Sequence, residues 1–471
     1  IIDISNNDVV AGQDFSVSGD TTLQKLVTVE EDSFITLSST LDNPNAYDTS
    51  VFDLFGWSVA ISGDYAIVGA YNEDDAGGTS SGKAYIFDVT TGSLVHTLDN
   101  PNAYASSSGD QFGYSVAISG NNAIVGAPFE DEALGNSQSG KAYIFDVTTG
   151  SLVHTLDNPN AYNTSLSDRF SESVAISDDY AIVGARSEDD AGGNSSGKVY
   201  IFDVSTGSLV YTLDNPNAYD ISAGDNFGYS VAISDNYAII GASFEDDAGG
   251  LSSGKAYIFD VTTGNLLHTL DNPNAYGTSQ SDGFGNSVGI SGNYAIIGVR
   301  AEDDAGGSNS GKAYIFDVTT GNLLHTLDNP NAYNTSATDE FGYSVAISGN
   351  NAIVGARLED DAGGSNSGKA YIFDVITGNL LYTLDNPNAY DTSAGDQFGW
   401  SVAISGDYAI VGAYGEGDTG GISSGKSYIF EIVNPTGTTL SPVDVNVTGT
   451  LTQTGNRTQT GNTTITGNLS T

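Results

Sequence analysis

Phe55-Gly-Trp-Ser-Val-Ala-Ile-Ser-Gly-Asp-Tyr-Ala-Ile-Val-Gly-Ala70 returns six more times along the chain, and that return decides the fold. The opening phenylalanines are Phe55, Phe112, Phe170, Phe227, Phe284, Phe341 and Phe398, spaced by 57 residues with one step of 58. Such a period marks one supersecondary unit used repeatedly. Behind each opening come an acidic glycine-rich loop, then Gly82-Lys-Ala-Tyr-Ile-Phe-Asp-Val-Thr-Thr-Gly92 or a close variant, then an apolar stretch ending in Leu-Asp-Asn-Pro-Asn-Ala-Tyr.

Each unit reads as four short strands. Val59 and Ile61 alternate with Ser58 and Ala60 in the first, and a Gly63-Asp64 turn leads into Tyr65 to Ala70. Lys83 to Asp88 forms the third, and after the Val89-Thr-Thr-Gly92 turn Leu94 to Leu98 forms the fourth. Pro and Gly fall between strands, and no stretch carries a helical period. The expected class is therefore all-β. Four antiparallel strands used seven times, small residues early and large ones late, suit the wedge-shaped blades of a propeller better than a linear solenoid.

The ends support a closed ring. The last unit stops at Lys426-Ser-Tyr-Ile-Phe-Glu431 without a fourth strand, while Phe34 to Leu41 is such a strand with no unit before it. Pairing the two predicts a seven-bladed propeller over 34–431 and removes two exposed edges. The remaining segments are an N-terminal flank at 1–33, a linker at 432–442 and a Thr/Gly/Asn-rich segment at 443–471.

The bulk numbers exclude several classes. In 471 residues, 59 acids against 13 Lys plus Arg give a formal net charge of -46, which opposes nucleic acid and anionic membranes and favours solubility or cation binding. Cysteine is absent, so neither disulfides nor thiolate sites hold the fold. No run approaches 18 apolar residues, so membrane insertion is not expected. Methionine is missing even at position 1, and the expectation is a processed chain or a window on a longer one.

By topology, the acidic loops between strands two and three share one face with the loops between units. Two acids recur there in every unit: Asp53, Asp110, Asp168, Asp225, Asp282, Asp339 and Asp396 before the phenylalanine, and Glu73, Glu130, Glu188, Glu245, Glu302, Glu359 and Glu416 in the long loop. The first set reads as loop aspartates accepting backbone hydrogen bonds. For the second set and the acids behind it, solvated surface is the plain reading and calcium coordination the sharper one. The candidate calcium ligands are Glu73, Asp74 and Asp75; Glu188, Asp189 and Asp190; Glu245, Asp246 and Asp247; Glu302, Asp303 and Asp304; and Glu359, Asp360 and Asp361. The spacing of an EF-hand loop is missing.

Lys83, Lys141, Lys198, Lys255, Lys312, Lys369 and Lys426 each begin a third strand, where weak local ion pairing is expected. His96, His154, His268 and His325 share one fourth-strand position with Tyr211 and Tyr382, which argues for half-exposed packing rather than a metal set. Trp57 and Trp400 follow the first and last Phe-Gly pairs and become neighbours only on ring closure; they offer contact to a glycan or protein, with packing as the plainer role. No nucleophile, base and orienting group form a triad, and no phosphate loop is present, so an enzyme is not expected.

The phrase Phe-Gly-x-Ser-Val-Ala-Ile-Ser-Gly-x-x-Ala-Ile-Val-Gly-Ala followed by Gly-Lys-Ala-Tyr-Ile-Phe resembles the bacterial FG-GAP repeat family across about 34–431. The resemblance implies a propeller like the head of integrin α subunits and a binding or adhesion scaffold. Three places depart from the common form or complete it: Phe170-Ser171 for Phe-Gly, Gly298-Val299 for Gly-Ala, and one full Gly-Ala-Pro at 126–128. The calcium-binding loop of integrin-like repeats lies between the first two strands, where Ser62-Gly63-Asp64 is too short for it.

In the C-terminal segment Gly449, Gly455, Gly461 and Gly467 recur every six residues, and Thr463-Thr-Ile-Thr-Gly-Asn468 has a counterpart in Phe15-Ser-Val-Ser-Gly-Asp20. These hexads resemble the shafts of bacteriophage tail and neck fibres, which implies strands pairing between chains, three by that resemblance, in a homo-oligomer. A flexible Thr-rich stalk is the plain alternative. The functional expectation is a structural component of a virion fibre or appendage that displays its propeller to a host-surface protein or glycan. The alternatives are an extracellular or bacterial cell-surface adhesin and, third, an enzyme on the same scaffold.

Overall fold

The computed structural model describes residues 34–44, 51–74, 78–101, 108–131, 138–160, 167–189, 193–216, 223–246, 250–273, 281–303, 307–330, 337–360, 364–388, 393–417 and 422–433, with the short strands Val17–Ser18, Val447–Thr448, Leu451–Thr452 and Leu469–Ser470. The compact unit Leu37–Glu431 consists of seven four-stranded sheets arranged as blades. In blade 1 the strands are Ser58–Ser62, Tyr65–Ala70, Lys83–Asp88 and Leu94–Asp99, antiparallel throughout. The other blades repeat this order; the inner strand of blade 6 starts early, at Phe341, through a bulge.

Blade 7 is composite. Its inner three strands are Ser401–Ser405, Tyr408–Ala413 and Lys426–Val433, and its outer strand is Phe34–Asp42 from the other end of the chain. The join copies the ion pair and the core leucine of an ordinary blade, while Ser39 stands where the other outer strands carry His or Tyr. Lys426 Nζ meets Asp42 Oδ1 at 2.8 Å, as Lys83 meets Asp99 in blade 1. Leu41 enters the core cluster between blades 7 and 1, where it touches the same layer as Phe55, Ile410 and Ile429.

Each core cluster lies between two blades, so the repeat is stabilised by stacking its sheets on their neighbours. The signature phenylalanine anchors the stack: Phe55 is fully buried, tilted against Tyr85 at 5.9 Å and edge-on to Phe87 at 6.0 Å. Val59 and Ile61 are buried while Ser58 and Ala60 are half-buried, the two faces expected of the inner strand.

The glycines of the signature mark where blades touch backbone to backbone. A Cβ on Gly69 of blade 1 would lie 2.0 Å from the Gly113 carbonyl oxygen of blade 2, and Gly113 itself sits at φ +90°. Gly412 and Gly56 repeat the contact across the closure at 2.1 Å, and Ser401 Oγ donates to the Gly56 carbonyl at 2.7 Å. Ser171 replaces the second glycine in blade 3 at φ +77°, where its hydroxyl bridges to the neighbouring blade: Oγ donates to the Lys141 carbonyl at 2.5 Å and accepts from Ala127 N–H at 3.1 Å. Val299 in place of alanine is fully buried and belongs to a core cluster, so that departure is absorbed by packing.

The compact unit of the flanks contains two parallel pairings within the one chain, Val17–Ser18 with Val447–Thr448 and Leu451–Thr452 with Leu469–Ser470. Ile432 and Val433, at the start of the expected linker, continue the strand Lys426–Val433; the rest of the flanks, including 434–442 and most of the expected Thr-Gly-Asn shaft, lies outside the described residues. No helix among the described residues is long and apolar enough to cross a membrane.

Candidate functional site

Three sets of repeated polar residues hold the loop face together. Asp53 is 3% exposed and accepts from Asn43 Nδ2 at 2.8 Å; the same Asn-to-Asp bond recurs in every blade, from Asn100 to Asp110 through Asn386 to Asp396. The expected structural role of these aspartates is what the geometry shows, with an asparagine side chain as partner. At the blade 7 to blade 1 junction Asn43 follows directly on the closing strand.

The glutamates correct the expectation of solvated surface. Glu73, Glu130, Glu188, Glu245, Glu302, Glu359 and Glu416 are all 0% exposed. Each accepts the hydroxyl of a third-strand tyrosine, Tyr85 Oη reaching Glu73 Oε1 at 2.7 Å and Tyr428 Oη reaching Glu416 Oε2 at 2.7 Å. Burial is the main cause that lifts the Glu73, Glu130, Glu245, Glu359 and Glu416 carboxyls to about 8 and Glu302 to about 7, and it pushes the partner tyrosines above their usual range. The alternation of strand residues could not reveal this, because the glutamate sits in a loop and its partner lies 12 positions on, or 13 for Glu130 and Tyr143.

Of the remaining calcium candidates, Asp74, Asp189 and Asp246 accept backbone N–H groups of Ser80, Ser195 and Ser252, and Asp303 and Asp360 those of Asn309 and Asn366, at 2.7–2.9 Å. Those serines and asparagines hold positive φ of 50–54°, so the aspartate fixes a strained loop corner. Asp75, Asp190, Asp247, Asp304 and Asp361 lie outside the described residues. Among the described residues no three His, Asp or Glu side chains are grouped to hold a metal ion.

The lysines pair with the carboxylate that ends each outer strand, and Lys426, paired with Asp42, also lies 3.9 Å from the loop glutamate Glu416. Lys83, Lys141, Lys198, Lys255, Lys312 and Lys369 reach Asp99, Asp157, Asp214, Asp271, Asp328 and Asp385 at the end of each outer strand. The His and Tyr position makes a common contact in several blades, His154 excepted, whose buried Nε2 has no hydrogen-bond partner among the described residues. His96, His268 and His325 meet backbone carbonyls of the next blade's Val-Thr-Thr-Gly turn at 3.0–3.2 Å, and Tyr211 Oη donates to the Thr262 carbonyl at 2.7 Å. That shared acceptor explains why the two residues exchange.

The seven units differ where their first strands converge on the axis. The residue after Phe-Gly is Trp57, Tyr114, Glu172 (after Phe-Ser), Tyr229, Asn286, Tyr343 and Trp400 in turn, and all seven line an axial cavity of about 350 Å³. Two further columns vary beside it. After Gly-Ala or Gly-Val stand Tyr71, Pro128, Arg186, Ser243, Arg300, Arg357 and Tyr414, and before the phenylalanine stand Leu54, Gln111, Arg169, Asn226, Gly283, Glu340 and Gln397. The last column is left-handed throughout, with φ of 55–62° at its six non-glycine members and 71° at Gly283, a conformation held only where surrounding structure imposes it.

Ring closure brings Trp57 and Trp400 together at 4.5 Å, as the sequence requires, and the structure adds Tyr71, Tyr114, Tyr343 and Tyr414 around them at 4.4–5.7 Å. Arg357 stacks on Tyr343 at 4.0 Å and Trp400 at 4.7 Å while donating to Glu340 and Gln397. Arg186 forks onto both oxygens of Glu172 at 2.6 Å and covers Tyr229. Arg169, Arg186, Arg300 and Arg357 are four of the five arginines in the chain. Sequence reading singled out the tryptophans and missed the arginines and tyrosines; aligning the units column by column would have shown them among the places where near-identical repeats diverge.

The blades, their closure and this axial mouth define a seven-bladed β-propeller with a concave aromatic and cationic hub. A model described as FG-GAP repeat matches residues 45–87, 103–145, 160–202, 217–259, 274–316, 331–373 and 388–430, and the chain belongs to that family. No curated protein matches it.

Proposed function

We propose that this chain is a noncovalent attachment protein of a virion fibre or appendage, whose propeller contacts a host surface through the axial mouth. One observation carries the reading: seven units that keep the same buried residues differ at the columns that line and flank the cavity. Repetition maintains a scaffold, and divergence on one concave surface is what selection for a particular contact leaves behind. Aromatic rings with a few placed polar groups are the usual chemistry of such a site.

The fibre part of the proposal rests on the Thr-Gly-Asn hexads and their resemblance to phage shafts. Copies joined through the flanks, three by that resemblance, would raise effective concentration at a surface and convert weak single contacts into firm attachment. Three measurements test this. Antibody against residues 34–431 should decorate purified particles, and the full chain should adsorb to host cells and show a trimer mass by light scattering. Its absence from particles together with its presence on a bacterial surface would replace the virion assignment with the adhesin one.

A further inference from the structure

We propose that the axial mouth takes a pyranose sugar bearing a carboxylate, with the sugar ring on the Trp57–Trp400 pair and the carboxylate on Arg300; this deepens, and rests on, the attachment reading. The tryptophans are half-buried, 4.5 Å apart and tilted by 44°, so their exposed parts offer flat apolar surface to the C–H face of a sugar. A cavity of about 350 Å³ lies at the lower end of the range of small-molecule sites, which suits one or two sugar units rather than a folded partner.

The charge follows from how the arginines are paired. Arg186 is neutralised by Glu172 and Arg357 by Glu340, and both stack on rings. Arg169 lies 3.7 Å from Glu172. Arg300 differs: it is half-buried over the Tyr343 ring at 5.7 Å and meets no carboxylate among the described residues. Tyr343 in turn touches Trp400 at 4.7 Å, so the unmatched guanidinium stands one ring away from the stacking surface. A guanidinium that meets no carboxylate among the described residues is a ready fork for one supplied by a ligand. Asn286 lines the cavity beside Tyr343 and the tryptophans; its Nδ2 donates to the Tyr343 carbonyl at 3.0 Å, and its amide oxygen can accept a sugar hydroxyl. The net charge of -46 opposes a polyanion, so a small sugar with a single carboxylate fits better than a nucleic acid or a sulfated polymer.

The chain contains two tryptophans, both in this site, so their emission reports on occupancy directly. Titration of the full chain with methyl glucuronide and with N-acetylneuraminic acid should change tryptophan emission to saturation for at least one of them, and methyl glucoside should bind more weakly. Arg300→Ala should weaken the acidic sugar about tenfold or more, the worth of a hydrogen-bonded charge pair, and leave the glucoside unchanged. Arg300→Lys should retain part of the affinity, which separates charge recognition from a folding defect. Methyl glucoside titrating as tightly as the better of the two acidic sugars, or emission unmoved by any of the three, overturns the proposal. Host adsorption by the same preparation keeps the two readings apart: adsorption without sugar binding rejects the acidic sugar alone, and loss of adsorption by intact full chain rejects the attachment reading.

Discussion

The spokes of this molecule and its hub follow opposite rules. Along the spokes, the Glu–Tyr bond, the Asn–Asp bond and the phenylalanine packed on the third strand repeat in all seven blades. At the hub the same backbone presents tryptophan, tyrosine, glutamate or asparagine at equivalent points. Invariance among repeats reports the physics of closing a ring, and on the proposed attachment role the variation at the hub reports use. Substitutions should therefore divide cleanly into those that move stability and those that move binding.

The largest effect is expected from opening the ring. Removing residues 1–41 takes away most of the outer strand of blade 7 and uncovers the edge of the strand Lys426–Val433, so the melting temperature should fall sharply and light scattering should show association. An unchanged monomeric transition would mean that the closure carries no stability. Next, Gly69→Ala places a methyl 2.0 Å from the Gly113 carbonyl oxygen, backbone that cannot swing aside, and should cost at least about 3 kcal/mol in urea unfolding. A cost below about 1 kcal/mol would contradict backbone contact between blades.

A smaller effect attends the buried carboxyls. Their folded pKa values of about 7 to 8 lie above the unfolded value near 4.5, so the folded state binds more protons and stability falls as pH rises from about 4.5 through about 8. The turn aspartates Asp88, Asp146, Asp260 and Asp317 act oppositely, since hydrogen bonds from the following threonines lower them and their contribution disappears only below about pH 4. Calorimetry at constant ionic strength should thus find a higher melting temperature at pH 5 than at pH 8, with the slope reduced in Glu73→Gln. A profile rising across that window would reject the assignment. Tyr85→Phe, which strips Glu73 of its hydroxyl partner, should cost about 1–3 kcal/mol.

The smallest effect is expected from calcium. With Glu245 bonded to Tyr257 and Asp246 to the Ser252 N–H, the first two acids of that loop already have partners, so calcium and excess chelator should give equal melting temperatures. Binding heat and a raised melting temperature, both lost on joint replacement of Glu245, Asp246 and Asp247 by amides, would restore the loop-bound calcium reading.

The fold was legible because its information is periodic. Three of the four strands of blade 1 were bounded to the residue, and the composite blade followed from counting an orphan strand at Phe34 and a missing one after Glu431. Two things were not legible. The burial of Glu73 depends on a tyrosine that looks like an ordinary strand residue, and a loop acid in an acidic chain reads by default as solvated. The hub depends on residues from six or seven units meeting at an axis, so Arg300 beside Tyr343, or Arg357 between Glu340 and Gln397, has no local pattern to announce it.

The most direct test sets hub against spoke in one assay. Adsorption of the full chain to host cells would be compared for a hub variant, Trp57→Ala with Trp400→Ala, and for a spoke variant, Lys83→Ala with Lys255→Ala, whose partners Asp99 and Asp271 are largely exposed and whose pairs should each be worth about 0–1 kcal/mol. The account predicts that the hub variant keeps the cooperative melting transition and loses adsorption, while the spoke variant adsorbs like the unaltered chain. Undiminished adsorption by a folded hub variant would contradict it.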